Sequence, residues 1–255
     1  DPAHITYRHV LAVDPTDNAN VFAPEIGHAD AIVGSGHYLL LASGGDSFNV
    51  FDLNHIWKMD GSTGGVGRQA DGTFSASWHL WAMPRVATFS YPVTGCGTYF
   101  NDLPCITAAS LDTSTTPATL VTTEGGLFDG PQDFADQTAD IVRWPIDPST
   151  GLPAQSADGL VHATARLRTH IPSIQGGTSY KGEYVFAGPC PEFVPGMYNI
   201  PSCLYKAGLD EPTRLWTRGG INLENVFYDP PTNQLWTLSE SPGSRVNYFV
   251  PLHGR

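Results

Sequence analysis

The stretch that decides the fold is Leu223-Glu224-Asn225-Val226-Phe227-Tyr228-Asp229-Pro230-Pro231-Thr232-Asn233-Gln234-Leu235-Trp236-Thr237-Leu238-Ser239-Glu240. Two short runs rich in β-branched and aromatic residues flank a turn made of Asp, Pro, Pro and Asn. Asp and Asn start such turns by bonding their own backbone, and Pro presets φ. The runs are short, apolar and aromatic, and fenced by turn residues, so the stretch reads as strand, turn, strand. The same plan recurs along the chain. First strands are expected at Ala29–Val33, Ile106–Leu111, Ile174–Ser179 and Leu223–Tyr228. Second strands are expected at Tyr38–Ser43, Leu120–Glu124, Tyr184–Gly188 and Leu235–Glu240.

Third strands follow at Asn49–Leu53, Asp140–Ile146, Cys203–Ala207 and Val246–Leu252. Each ends in a related triplet: Phe51-Asp52-Leu53, Trp144-Pro145-Ile146, Tyr205-Lys206-Ala207 and Val250-Pro251-Leu252. Three units continue into a fourth strand, at Trp78–Met83, His162–Leu167 and Arg214–Thr217. The last unit has none, while Ile5–Val10 at the start of the chain alternates in the same way. Four-stranded units repeated around an axis make a β-propeller. The expected fold is therefore all-β, one propeller domain over residues 1–255. Its ring is closed by the N-terminal strand Ile5–Val10 completing the last blade. Four units give roughly 64 residues each, long for blades of about 40–50. Five blades, one degenerate, is the alternative, and a β-sandwich is the competing architecture.

Composition agrees. The 255 residues include 27 Gly, 21 Pro, 6 Trp, 10 Tyr and 12 Phe, and only 15% are charged, against about 25% in an ordinary domain. Such a chain is neither disordered nor a coiled coil. Its longest apolar run, Tyr38–Ala42, is far short of a membrane helix. With 25 acidic and 13 basic residues the net charge is −12. Nucleic acid and anionic membranes are poor partners for that balance. Cys96 and Cys105 are nine residues apart, and Cys190 and Cys203 thirteen. Each pair brackets a Pro/Gly-rich loop, which suggests two local disulfides and an oxidising, extracellular setting. Asp1 suits a processed N-terminus.

The segments Asn49-Val50-Phe51-Asp52-Leu53-Asn54-His55-Ile56-Trp57, Arg143-Trp144-Pro145-Ile146-Asp147 and Leu235–Arg245 carry a resemblance. The chain resembles secreted β-propeller-like proteins of actinobacteria and fungi, mostly without an assigned activity. Small propeller lectins are the nearest functional analogue. The resemblance implies a secreted propeller and carries no catalytic residue across.

Two residue sets could bear function. His28, Thr107, Gln175 and Glu224 open the four first strands, which in a propeller line the central channel. Such a polar ring suits a small ligand or an ion; otherwise it only binds channel water. Glu124 and Glu240 end equivalent second strands. With His28 they could form an acid–base pocket for glycan or lactone cleavage, ligate Ca²⁺, or merely cap turns. Trp57, Trp78, Trp81, Tyr99, Phe100 and Trp216 could stack on sugars. No His-Glu-x-x-His, Gly-x-Ser-x-Gly or phosphate-loop motif occurs. Gly61–Gly67 reads as a flexible loop. The primary expectation is a secreted, monomeric, lectin-like protein binding carbohydrate or another small molecule, with no cofactor beyond optional Ca²⁺. A glycan- or lactone-cleaving enzyme is the alternative. The units are not copies of one another, which favours a single-pocket enzyme over a multivalent lectin.

Overall fold

The computed structural model describes residues 7–15, 21–25, 29–42, 47–92, 106–124, 139–192, 199–208, 211–241, 243 and 245–252. All regular structure among them is β. The first part of the chain holds β1 (Leu11–Pro15), β2 (Phe22–Pro24), β3 (Ala31–Ser35), β4 (Tyr38–Ala42), β5 (Ser47–Asp52), β6 (Trp57–Lys58), β7 (Val66–Arg68), β8 (Phe74–Ala76) and β9 (Trp81–Ser90). Then come β10 (Ile106–Asp112), β11 (Thr119–Glu124), β12 (Ala139–Pro145) and β13 (Ala165–Thr169). They are followed by β14 (Gly176–Tyr180), β15 (Glu183–Pro189), β16 (Pro201–Gly208) and β17 (Arg214–Ile221). The last are β18 (Leu223–Asp229), β19 (Gln234–Ser239) and β20 (Asn247–Pro251).

The strands form four consecutive antiparallel units, ordered β3-β4-β5-β9, β10-β11-β12-β13, β14-β15-β16-β17 and β18-β19-β20. The expected first, second and third strands all lie in these sheets, shifted by at most two residues at their ends. Tight turns join them. At the β14–β15 hairpin Lys181 and Gly182 both take left-handed backbone, φ 52° and 82°, which matches the twist of the flanking strands.

The first strands lie side by side, β3 against β10, β10 against β14 and β14 against β18. Between successive sheets sit three apolar cores. Ala31, Leu40, Phe48 and Val50 meet Ala109, Leu120, Val142 and Trp144. Val121 and Ile141 meet Ile174, Tyr184, Phe186 and Tyr205. Val185, Ala187 and Leu204 meet Leu223, Val226, Tyr228 and Leu235. Successive residues of a strand point to opposite faces, so that in β5, for example, Phe48 and Val50 both enter the first core. Trp144 is fully enclosed, and its indole N–H donates to Thr122 Oγ1 at 2.8 Å.

Two expectations need correction. Among the described residues no strand lies on the free side of β20. Residues 7–10 join no ladder, and the first described strand, β1, pairs in parallel with β9 of the first sheet instead. Ile5 lies outside the described residues. The reason is local. Leu11 and Val13 bury against Phe22, Met59, Ala76 and Ala82, so the apolar partner of the N-terminal segment is the first unit. The second correction concerns Gly61–Gly67, which is not a loose loop. Val66–Arg68 pairs with Phe74–Ala76 in a β-hairpin inserted between β6 and β9. The ten-residue β9 serves both parts: Ala82 pairs with Leu11 and Trp57, while Arg85–Ser90 pairs with β5.

Candidate functional site

Three of the four residues expected around the axis are described; His28 lies outside the described residues. Thr107 sits in a β-bulge of β10, and Asn225, next to Glu224, in the matching bulge of β18. A bulge leaves one residue out of the ladder and turns it toward a neighbour. Thr107 uses this freedom to donate its hydroxyl proton to the carbonyl of Ile174. The Asn225 amide donates to the carbonyl of Gln175 at 3.0 Å. The openings of the second, third and fourth first strands are thus stitched in series. The approach is close: a Cβ on Gly176 would fall 2.6 Å from Asn225 Cα, so only glycine fits there. Thr107 is consumed by this stitching. Gln175 and Glu224 are half-buried beside it.

The two glutamates do not form a matched pair. Glu124 ends β11, and its Oε2 accepts the backbone amide of Asp140 at 3.0 Å. Glu240 follows β19 two units away and is exposed. Its backbone is engaged: its amide donates to Asn222 O, and its carbonyl accepts Arg245 Nε. Among the described residues no group of three His, Cys, Asp or Glu side chains is placed to hold a metal ion. Cys190 and Cys203 are joined in a disulfide between β15 and β16. Cys96 and Cys105 lie outside the described residues, as do Tyr99 and Phe100.

The buried charges are structural. Asp112, at the far end of β10, takes Arg143 at 3.0 Å and Ser179 Oγ at 2.7 Å. Burial pushes its pKa up, but hydrogen bonds from Ser114, Ser179 and Arg143 outweigh burial and hold it below the usual carboxylate range. Asp140 is clasped by Arg166 and Arg168 of β13. Lys206 donates to Glu183 and lies 4.3 Å above the Trp216 ring, covering one of its faces.

The aromatics with open faces gather on the insertion of the first unit. Trp57 is 39% exposed, Phe74 37% and Trp78 67%. Phe22 lies beneath two of them, its ring 6.3 Å from Phe74 and 6.1 Å from Trp57. Trp78 is held differently. Ser77 and Trp78 both have left-handed backbone, φ 49° and 68°, a conformation that non-glycine residues avoid. Their amides are fixed by the carbonyls of Gly65 and Thr63. The indole lies over Gly64, where a Cβ would stand 2.7 Å from Nε1. Two adjacent strained residues persist only where the surroundings over-determine them, and such strain gathers at functional sites. Phe74 escaped sequence reasoning because three-residue strands carry no visible period. A second open row, Phe227, Trp236 and Phe249, crosses the last sheet. The alternation of β18, β19 and β20 contained that signal, since these three fall on the face opposite Val226, Leu235 and Val250.

No family model matches the chain, and no curated protein matches it. Several solved structures align with it at low similarity. The computationally designed Ika4 protein has a TM-score of 0.33 at 10% identity, over 95% of this chain and 98% of that one. The Dos1 propeller has a TM-score of 0.34 at 8% identity, over 91% and 68%. A glycoside hydrolase family 43 arabinoxylan arabinofuranohydrolase from Bacillus subtilis, in complex with cellotetraose, has a TM-score of 0.40 at 12% identity. That match covers 82% of this chain and 41% of that one.

Proposed function

We propose that this is a secreted, four-bladed β-propeller that binds carbohydrate at one place, the insertion of its first unit. The observation that carries the reading is Trp78. An indole two-thirds exposed is held out by two consecutive left-handed residues and laid over a glycine that leaves it room. Apolar collapse would bury such a ring; here the backbone is bent to display it. Trp offers a flat apolar face to the C–H side of a sugar ring, and its N–H can meet a hydroxyl. Trp57 and Phe74 add further open faces on the same insertion. One insertion on one unit also accounts for the lack of identity among the units. The acidic balance of the chain suits an uncharged glycan better than a sulfated or uronate-rich one. The disulfide suits an extracellular setting.

The test is glycan binding measured by array and then by calorimetry. Trp78→Ala should lower affinity at least about tenfold, as loss of an anchoring aromatic does, while the melting temperature stays nearly constant. Gly64→Ala should displace the indole and weaken binding in the same sense. A glycan ligand retained at full affinity by Trp78→Ala and by a Trp57→Ala, Phe74→Ala double variant would remove the insertion as the site.

A further inference from the structure

We infer that His79, with His9 and Tyr7 of the N-terminal segment, forms the polar side of the Trp78 site, and that His79 Nε2 accepts a hydroxyl of an uncharged sugar stacked on the indole. The inference rests on the carbohydrate reading of that indole and adds the group that selects the sugar.

Ala76, Ser77, Trp78 and His79 make a four-residue turn, closed by the His79 amide donating to Ala76 O at 3.0 Å. Both central residues are left-handed, a form that hairpins usually build from Asn-Gly. With Ser and Trp in those places the turn needs another restraint, and the His79 side chain supplies it. Its Nδ1 lies 2.8 Å from Ala76 O and 2.7 Å from Ser77 O. A carbonyl oxygen only accepts, so Nδ1 carries the proton, and the lone pair of the neutral ring sits on Nε2. The turn itself thus sets the tautomer. Nε2 has no hydrogen-bond partner among the described residues, and it is not sealed from solvent. One residue therefore does two things. Nδ1–H clasps the two carbonyls that precede the displayed ring, and Nε2 is left as an acceptor one residue away from it.

The start of the chain adds a second wall. The His9 ring meets His79 edge-on, centroids 6.4 Å apart and planes at 72°, and Tyr7 meets His9 in the same way at 5.5 Å and 84°. Residues 7–10 join no ladder, yet these three rings in file tie them to the turn. Tyr7 and His9 are exposed. A flat apolar face, an acceptor of fixed tautomer and two exposed rings with polar edges make the mixture that orients a small ligand. The acceptor narrows the ligand. Nε2 offers a lone pair, so it takes a hydroxyl donor and repels an anionic oxygen, as does the chain's charge of −12. A metal ion would need further protein ligands, and among the described residues no third His, Cys, Asp or Glu joins the two histidines.

Two measurements on the full chain test the inference. Without any ligand, long-range ¹H–¹⁵N spectra should show His79 protonated on Nδ1 and bare on Nε2. For binding, the probes are the neutral oligosaccharide that gives the strongest signal on a glycan array and its monodeoxy analogues, measured by calorimetry. His79→Asn keeps a donor in the place of Nδ1 and removes the acceptor. It should bind the oligosaccharide about tenfold more weakly, with acrylamide quenching of tryptophan fluorescence unchanged. One monodeoxy analogue should lose the same factor on wild type and nothing further on His79→Asn. His79→Gln keeps an acceptor in the place of Nε2 and drops the clasp, so its quenching should change. A spectrum with the proton on Nε2 overturns the inference even if no variant folds. So does His79→Asn binding at full strength while Trp78→Ala binds at least about tenfold more weakly; the indole then still binds sugar, and only its polar partner is wrong. If Trp78→Ala binds at full strength too, the carbohydrate reading itself falls, and this inference with it.

Discussion

The joint between the second and third sheets and the insertion of the first sheet obey opposite rules. At the joint every buried polar group is answered. Asp112 meets Arg143, Ser114 and Ser179, and Ser110 Oγ donates to Gly177 O at 2.8 Å. In the insertion, local preferences are violated. Two adjacent non-glycine residues are left-handed there, and large aromatic rings face water, whereas Ser173 and Lys181 beside the joint are left-handed singly. The hydroxyl of Ser75, wholly buried, has no hydrogen-bond partner among the described residues. Sequences satisfy their own local rules where only stability is at stake and break them at functional sites. The contrast is consistent with the proposal of a scaffold in the middle of the chain and a binding surface on its first unit.

The largest effect expected from this contrast is at the joint. Arg143→Met leaves Asp112 buried without its cation, and removing one partner of a buried pair costs about 3–5 kcal/mol. Chemical denaturation measures it, and the Asp112→Asn, Arg143→Met double variant should recover much of the loss. A loss near zero would mean that water reaches Asp112, and the joint would no longer stand as the satisfied region. The insertion should respond with the opposite sign. Ser75→Ala removes an unanswered hydroxyl, so stability should rise by about 1 kcal/mol. A fall would show that the hydroxyl has a partner after all.

The smallest effect is electrostatic and lies where the insertion begins. The Asn54 amide, together with His55 and His37, holds the Asp52 carboxyl below its ordinary 3.8. A carboxylate with a lowered folded pKa stabilises fully above its unfolded value. Its contribution fades as pH falls below about 3.8 and through the depressed folded value. The melting-temperature gap between wild type and Asp52→Asn should therefore be constant near neutrality and close in acid. A gap that widens in acid would reverse the sign and disprove the assignment.

How much of this was legible in the sequence depends on length and period. Strands of five or more residues with alternating burial, such as Gln234–Ser239, announce themselves. Val66–Arg68 and Phe74–Ala76 do not, because three residues carry no measurable alternation and glycines around them read as loop. Leu11–Pro15 was hidden for another reason. Asp14-Pro15 reads as a turn, yet Pro15 ends a strand opposite Phe22 of β2, beyond the last residue paired with β9, where its missing N–H is tolerated. β17 runs on through Gly219 and Gly220 because Leu223 and the Tyr248 hydroxyl crowd them, a tertiary reason that no local pattern contains. Of the site, the Trp57 and Trp78 candidates were readable as exposed-aromatic types. Their display was not, since it rests on backbone angles. The Thr107 position was readable too, but its hydroxyl is spent on Ile174, a contact across sheets.

The Cys190–Cys203 link bears on resistance to proteolysis. It spans the connection between β15 and β16, two strands already paired from Glu183 to Gly208. A protease that cuts anywhere between residues 191 and 202 severs the chain without releasing a piece. Both flanks stay in one sheet and remain covalently joined. Nicked molecules would run as one band on a gel until reduced and as two afterward, and the third sheet would pass through the cut unchanged.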